Sequence, residues 1–210
     1  MSAESDPIFA RIARRYDLIN RILSFGQDQN WRRRAVRHLP DGIVLDLGSG
    51  TGAAEPIFGD RTVIALDPVH EMLALSPIDE KVVAVGEALP FADGALDAVF
   101  SAYVFRNLTS VRDTLAEIAR VLRPGGRVAI VDLGRPRNRW AAALHRLGSA
   151  IFLPLAGLLA RAPADYWYLH RSLDKLGPPE LLYVAPSLTV VESWRMGPLG
   201  FVHGVVLERT

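Results

Sequence analysis

A glycine-rich turn after a buried apolar run is the part of this sequence best suited to binding a ligand. Asp46 lies at the end of the run Ile43–Leu47, and glycines follow at positions 48, 50 and 52. Glycine permits positive φ and lets a ligand touch backbone that a Cβ would block. A helix predicted after the turn would direct free N–H groups at an anionic group. Asp67 ends the next apolar run, where a carboxylate in a wound sheet typically binds a ribose diol. The segment therefore predicts a nucleoside site.

The glycine spacing distinguishes between two kinds of nucleoside cofactor. Dinucleotide sites carry G-x-G-x-x-G, whereas this chain has G-x-G-x-G. The shorter pattern resembles that of S-adenosylmethionine sites, whose ligand offers a carboxylate smaller than a pyrophosphate. That resemblance implies S-adenosylmethionine as the cofactor, with no metal. The residues expected to contact it in this part of the chain are Asp46, Gly48, Gly50, Thr51, Gly52, Asp67, Pro68 and Ala102.

A third segment, Gly86-Glu87-Ala88 before Leu-Pro-Phe, resembles the methyltransferase stretch that holds adenine. There an acid meets the adenine amino group and the next backbone N–H meets a ring nitrogen. Glu87 and Ala88 take these roles if the chain is shorter before Leu89, and Val85 and Gly86 take them otherwise. We favour Glu87, because Val85 has no side-chain acceptor. An exposed glutamate in a turn is the alternative interpretation.

Alternating strands and helices must position these residues. The apolar runs predict a parallel sheet with right-handed crossovers, closed by an antiparallel pair near the C-terminus, because no helix fits between the last two runs. A helix is predicted to start near Ser110 and to be stopped by Arg123-Pro124-Gly125-Gly126, and another covers Trp31–Leu39 with its arginines facing out. The predicted strands are Ile43–Leu47, Thr62–Leu66, Val82–Val85, Leu96–Val104, Val128–Leu133, Leu188–Trp194 and Phe201–Leu207.

Composition narrows the functional classes. The chain has 210 residues, half of them hydrophobic, and a net charge of +1, which suits one globular domain without a global attraction to polyanions. The absence of cysteine excludes a disulfide framework, a thiolate zinc site and a cysteine nucleophile. The polar N-terminus is unlike a signal peptide, and the apolar stretch Gly148–Ala160 is too short to span a bilayer. We therefore expect a cytoplasmic protein with no nucleic-acid partner.

Several motifs extend the resemblance to nearly the whole chain. Tyr-Asp-Leu-x-Asn at 16–20, Arg106-Asn107 and Tyr-x-Tyr-Leu-x-x-Ser at 166–172 stand in the order and spacing of the ubiquinone/menaquinone biosynthesis C-methyltransferases (UbiE/MenG type). The resemblance implies one Rossmann-like class I methyltransferase domain over residues 1–210: an α/β fold with a mostly parallel seven-stranded sheet, an antiparallel C-terminal strand and helices on both faces. Residues 1–40 would form a helical lid, with Tyr16 over the cofactor, and residues 135–182 a helical insertion over the acceptor site.

The same resemblance implies the reaction. The acceptor would be a prenylated quinol, methylated on a ring carbon, with Arg106 stabilising a phenolate and Asn107 orienting the ring or a water. Arginine stays protonated, so neither residue is a convincing base. Tyr103 and His170 are further candidates. A salt-bridged pair at a helix start is the structural alternative for Arg106 and Asn107.

Two features bear on the acceptor and on partners. The apolar stretch Leu147–Leu159, flanked by arginines, is compatible with contact at the inner face of a membrane and with a prenyl route lined by Phe152, Leu153, Leu155 and Leu158; an ordinary buried helix is the alternative. A homodimer is also compatible with the sequence. Val104-Phe105 replaces a smaller pair found in the family and is expected to narrow the acceptor pocket.

Two other functions remain open on the sequence. The first is a methyltransferase of the same architecture that acts on another hydrophobic small molecule, such as a phenol. The second is a scaffold that binds the cofactor without catalysis, which would require a blocked acceptor cavity.

Overall fold

A seven-stranded mixed sheet forms the centre of the molecule. The computed structural model describes residues 21, 24–159, 170, 171, 173, 174 and 183–210. The strand order is β3-β2-β1-β4-β5-β7-β6, with β7 antiparallel to both of its neighbours and every other pairing parallel. The strands are β1 (Ile43–Leu47), β2 (Thr62–Leu66), β3 (Glu80–Val82), β4 (Leu96–Ala102), β5 (Leu122–Leu133), β6 (Leu188–Met196) and β7 (Val202–Arg209).

Helices cover both faces of this sheet because consecutive strand residues point to opposite sides. The helices are α1 (Asp28–Val36), α2 (His70–Leu73), α3 (Val111–Val121) and α4 (Arg139–Leu159). Trp31 and Ala35 of α1 pack with Val44, whereas Leu115 of α3 packs with Leu45, the next residue of β1. The predicted fold class, including the antiparallel C-terminal strand, is confirmed.

The sheet order reverses between β1 and β4. From β1 the chain adds β2 and β3 on one side, and then crosses back to place β4 on the other side of β1. In open α/β sheets ligands bind outside the carboxyl ends of the strands at such a point. The residues after Leu47 and after Ala102 therefore lie where a ligand is expected.

Five predicted strands have different ends: β6 runs on to Met196, β7 covers Val202–Arg209 rather than Phe201–Leu207, and β3, β4 and β5 differ as follows. β3 covers Glu80–Val82 rather than Val82–Val85, because Val82 pairs with Leu66, the last residue of β2. β4 stops at Ala102, because Tyr103 adopts a φ of 67°. Residues 123–126, predicted as a turn that ends the helix, lie within β5 as an irregularity opposite Asp97, while α3 ends at Val121.

Two helix predictions also need correction. The glycine turn leads only into a three-residue 3-10 helix, Glu55–Ile57, with Pro56 at its start, so no long helix directs its N-terminus at a ligand. The helix predicted at Trp31–Leu39 begins earlier, at Asp28. Its arginines do not all face out, since Arg32 is buried.

Candidate active site

The glycine turn is tied to the end of β2 by backbone hydrogen bonds. The N–H groups of Gly48 and Ser49 both donate to Leu66 O, at 2.7 and 3.0 Å. Asp67 fixes the next part of the turn: Oδ2 accepts from Gly50 N at 3.0 Å, and Oδ1 accepts from Val69 N at 2.9 Å. Asp67 is therefore buried and positioned at the rim of a polar cleft, called here the cofactor cleft.

Glycine is required in this turn by its neighbours as well as by its conformation. Gly48 has a φ of 70°, and a Cβ built there would lie 2.3 Å from Cγ2 of Val104. Gly52 has a φ of 76°, and its Cβ would lie 2.4 Å from Ser76 Oγ. The turn is thus packed directly against side chains of other segments, and its open side faces the cofactor cleft.

Asp46 has a buried carboxyl group, and one of its oxygens accepts no hydrogen bond from the residues that the structure describes. That oxygen is Oδ2, although the residue is only 2% exposed. Burial raises the pKa of Asp46 to about 7; the charge of Arg32 acts in the opposite direction and the charge of Asp67 in the same one. A buried, unsatisfied carboxylate of this kind is suited to a cationic or hydrogen-bonding ligand.

Arg32 faces the cofactor cleft and is not among the site residues predicted from the sequence. Its Nη1 lies 2.5 Å from Asp28 Oδ2, and its guanidinium lies 5.0 Å from the ring centre of Tyr103. The spacing of Asp28 and Arg32 on α1 could have signalled an i,i+4 ion pair. Nothing in the local pattern indicates that this pair would face the ligand rather than solvent.

Glu87, in the segment predicted to hold adenine, contacts the backbone at the start of α3. Oε1 of Glu87 accepts from Thr109 N at 2.9 Å and from Ser110 N at 3.1 Å, just before α3. Ser110 itself caps α3 by accepting from Asp113 N, as its sequence predicted. Gly86 is buried and Ala88 is exposed. Glu87 is thus fixed at the helix start, and its contact with adenine stays a prediction.

Arg106 and Asn107 follow β4 in a short 3-10 helix and are both buried. Arg106 Nη1 lies 2.6 Å from Asp132 Oδ1, and Asn107 Nδ2 donates to Tyr103 O at 3.4 Å. The salt bridge therefore exists, with a partner on β5. The two residues nevertheless face ligand space, since Asn107 and Ala102 line the cofactor cleft and Arg106 and Tyr103 line a second one.

The second cleft is larger and mainly apolar, and is called here the apolar cleft. It has a volume of about 400 Å³ and lies between the start of α1, the middle of α4 and the loop before β7. The two clefts share a wall: Asp28 and Arg106 line the apolar cleft, while their neighbours Arg32 and Asn107 line the cofactor cleft. Among the apolar residues that line it are Phe25, Trp31, Leu144, Phe152, Leu153 and Phe201.

The structure does not support two expectations about the acceptor pocket: that Val104 and Phe105 narrow it, and that His170 is one of its residues. Phe105 does not narrow the cleft, because it packs into the core on the other face, edge-on to Tyr183 at 5.6 Å. Val104 lies against the glycine turn instead. His170 is not among the residues that line either cleft; its Nδ1 lies 3.0 Å from Ser149 Oγ.

Some predicted positions lie outside the described residues: Tyr16, the rest of 1–20, and the 166–169 motif with Ser172. The side chains of Leu155 and Leu158 are not described either. Pro68, which follows Asp67, is half-buried and is not among the residues that line the cofactor cleft. Among the described residues, no group of three His, Asp or Glu side chains could hold a metal ion, and no helix is long and apolar enough to cross a bilayer.

The charged groups of the cofactor cleft fit the chemistry of S-adenosylmethionine. Its methionine end carries an ammonium and a carboxylate beside a sulfonium, and its ribose carries a diol. The cleft offers the unfilled carboxylate of Asp46, the guanidinium of Arg32 and the fixed carboxylate of Asp67. Charges of both signs are thus present for a ligand that carries both.

Comparison with known proteins agrees with this geometry. The model of the ubiE/COQ5 methyltransferase family matches residues 2–182. A demethylmenaquinone methyltransferase of Thermus thermophilus is 38% identical over 83% of this chain and 87% of its own. A ubiquinone/menaquinone biosynthesis C-methyltransferase of Syntrophotalea carbinolica is 37% identical over 81% and 78%.

Solved structures support the fold. A SAM-dependent methyltransferase of Thermotoga maritima, described as a possible histamine N-methyltransferase, superposes with a TM-score of 0.65 at 16% identity, over 98% of this chain and 99% of its own. A geranyl diphosphate methyltransferase solved in complex with geranyl diphosphate and sinefungin gives a TM-score of 0.53 at 13% identity, over 86% and 77%. These similarities concern the fold alone. From the family match and the extent of the sequence identity, the chain belongs to the ubiE/COQ5 methyltransferase family.

Proposed function

We propose that this protein transfers a methyl group from S-adenosylmethionine to a ring carbon of a prenylated quinol, of the kind named for its relatives in menaquinone and ubiquinone biosynthesis. The observation that carries the proposal is the shared wall between a charged cleft and an apolar cleft. Arg106 and Asn107, adjacent in sequence, belong one to each cleft. A donor and a hydrophobic acceptor would therefore meet at these two residues.

The cofactor supplies an electrophilic methyl group on a sulfonium. Asp46 and Arg32 would hold its amino-acid end, and Asp67 its ribose. Holding donor and acceptor in line is the main contribution of the protein, because such orientation can lower a barrier by about 7–11 kcal/mol. The apolar walls of the second cleft exclude water from the acceptor.

Arg106 and Asn107 would act on the acceptor oxygen. A quinol ring carbon is nucleophilic mainly when a hydroxyl is ionised, and the guanidinium of Arg106 would hydrogen-bond to that phenolate oxygen. Asn107 and Tyr103 would orient the ring, or a water that removes the proton of the quinol hydroxyl. Arg106 stays protonated throughout, so it positions charge and accepts no proton.

A transfer assay with labelled cofactor tests the proposal. We expect labelled methyl on the ring of demethylmenaquinol and none when the quinol is omitted. Methylation of simple phenols without methylation of the quinol would favour the alternative, a methyltransferase of another hydrophobic small molecule. Cofactor binding without transfer to any acceptor would favour a scaffold, although a cleft of about 400 Å³ speaks against a blocked acceptor cavity.

We also propose that α4 rests on the inner face of an anionic membrane. Exposed apolar side chains recur along it at helical spacing, at Trp140, Leu144, Leu147 and Ile151, near Arg137 and Arg139. This exposure is unlike an ordinary buried helix. Sedimentation with vesicles containing phosphatidylglycerol should recover the protein, and Leu147→Glu should release it. Val190→Glu, at an exposed valine of β6, is the matched control. A homodimer stays a prediction.

A further inference from the structure

His145 is a polar residue of the apolar cleft that the reaction above does not use. It extends from α4 into a cleft lined on other sides by Tyr103 and Arg106. Its ring stacks on Phe201, with centroids 5.0 Å apart and planes at 26°. The orientation of the imidazole is therefore fixed by an aromatic neighbour that lines the same cleft.

Arg135 determines which ring nitrogen of His145 carries the proton. Its Nη1 lies 3.3 Å from His145 Nδ1, and a guanidinium can only donate. Nδ1 must therefore accept, and the proton of the neutral ring sits on Nε2. Arg135 is itself fixed, since Nη2 lies 2.8 Å from Asp174 Oδ2 and Nη1 donates to Ser149 Oγ at 2.9 Å.

Burial, together with the charges around it, keeps the ring of His145 neutral. Burial and the charge of Arg135 lower the pKa of His145 to about 4, with His170 adding to this effect and Asp174 opposing it. Arg146, one residue further on α4, pairs with Asp174 at 2.8 Å. Near neutral pH the ring is thus uncharged and presents an Nε2–H donor.

The two serines of the cleft already have partners in the protein. Ser24 Oγ donates to Asp28 Oδ1 at 3.1 Å, and Ser149 Oγ donates to Arg146 O at 3.1 Å. Among the residues that the structure describes, no acceptor lies within hydrogen-bond distance of His145 Nε2. A donor in apolar surroundings is best satisfied by an acceptor that the ligand brings.

We propose that His145 Nε2–H donates a hydrogen bond to a ring oxygen of the acceptor, so that the cleft selects aromatic rings that carry oxygen over plain hydrocarbons. The inference rests on the proposed function for the class of acceptor. It adds a binding contact on the side of the cleft formed by α4, away from the segment that contains Arg106.

Binding of two matched ring probes tests the contact. The probes are 2-methyl-1,4-naphthoquinone and 2-methylnaphthalene, which differ in the ring oxygens. His145→Phe keeps an aromatic ring on Phe201 but removes the donor, and should weaken naphthoquinone binding about threefold to tenfold while leaving the hydrocarbon unchanged. His145→Gln, which keeps an N–H donor, should restore part of the affinity. His38→Phe, in neither cleft, is the matched control.

Equal weakening for both probes in His145→Phe, or no weakening for either, would overturn the proposal. A second measurement concerns the free protein: long-range proton–nitrogen correlations should show the Nε2–H tautomer of His145 from about pH 6 to 8. An Nδ1–H tautomer or an imidazolium in that range would also overturn it.

The labelled-methyl assay separates failure of this inference from failure of the proposed function. If the quinol is methylated but His145→Phe binds the naphthoquinone with unchanged affinity, the proposed His145 contact is wrong and the proposed reaction still holds. If His145→Phe selectively loses affinity for the naphthoquinone but no methyl group is transferred to a quinol, the proposed reaction is wrong and the His145 contact still holds.

Discussion

Arg106, in the 3-10 helix that follows β4, forms an ion pair with Asp132 of β5, with 2.6 Å between Nη1 and Oδ1 and side-chain exposures of 3% and 0%. Asp132 also accepts from the backbone N–H groups of Arg106 and Leu133, at 3.2 and 2.7 Å. The guanidinium is thereby held at the edge of the apolar cleft. Because the pair is neutral as a whole, Arg106 would act on a phenolate through directed hydrogen bonds more than through net charge.

Replacement of Arg106 by lysine should separate catalysis from cofactor binding. Alanine would leave Asp132 buried and unpaired, at a cost of about 3–5 kcal/mol, so Arg106→Lys is the better variant. We expect turnover to fall about a hundredfold or more, as for loss of a donor to a developing oxyanion. The dissociation constant of the cofactor, measured by calorimetry, should stay unchanged. Arg33→Lys, at an exposed arginine of α1, is the control. Equal losses of turnover and cofactor affinity would indicate a structural role.

If Asp67 binds the ribose as proposed, Asp67→Ala should weaken cofactor binding by about 1–3 kcal/mol, because the ribose would lose its acceptor and Gly50 N would lose its partner. Asp67→Asn keeps one oxygen acceptor and should lose less. Calorimetric titration with S-adenosylmethionine measures both variants. An unchanged dissociation constant in Asp67→Ala would rule out the ribose contact.

The raised pKa of Asp46 predicts that the stability of the folded protein depends on pH. Its pKa is about 7 in the folded protein and near 4 when unfolded, so between these values the folded state binds more protons. The stability of the cofactor-free protein should therefore fall as the pH rises from about 4 to 7, by up to about 4 kcal/mol from this group. Asp46→Asn should remove that dependence, and denaturant unfolding at several pH values measures it.

The same carboxylate should link cofactor binding to proton release. A cationic ligand beside Asp46 favours the ionised form, so affinity should increase as the pH rises through about 7. Calorimetry in buffers with different ionisation enthalpies should detect a proton released on binding near pH 6 to 7. Asp46→Asn should bind more weakly and release no such proton. Proton release that persists in this variant would assign it to another group.

The sequence was most informative where one local segment determines both structure and chemistry. Val44 and Leu45 are apolar and precede three glycines, so the strand, the turn and its ligand-facing side are all determined by one stretch of chain. Thr62–Leu66 was predicted correctly for the same reason, as a largely apolar run between polar residues.

The remaining site residues depend on contacts between distant segments. Asp132 lies 26 positions after Arg106, and nothing in either local pattern connects them. Arg32 stands among exposed arginines, and only the packing of α1 on the sheet directs it at Asp46. A glycine motif also does not determine the length of the next helix, and here the helix predicted after the turn is a single 3-10 turn.

Glu87→Gln should decide between the two assignments of the adenine contact. The amide keeps an oxygen for Thr109 N and Ser110 N, so stability should change little. Its NH2 group replaces an acceptor, however, and the adenine amino group is a donor. If Glu87 holds that group, cofactor affinity should fall about tenfold or more. An unchanged affinity with unchanged stability would favour Val85 and Gly86.

Gly48 and Val104 should be coupled, because a Cβ at Gly48 would occupy the space of the valine. Gly48→Ala should lower stability and cofactor affinity through two separable effects, the clash with Val104 and the positive φ of 70°. Val104→Ala alone should cost little more than the lost methyl contacts, about 1–3 kcal/mol. In the double variant the 2.3 Å clash with Cγ2 is removed, while the 3.2 Å approach to the Cβ of residue 104 and the backbone strain of about 1–2 kcal/mol remain. Unfolding free energies of the four proteins should therefore show a favourable coupling, with the double variant less destabilised than the sum of the single ones. Simple additivity would mean that the turn moves away from Val104 when a methyl group is introduced, and that its close packing does not depend on this contact.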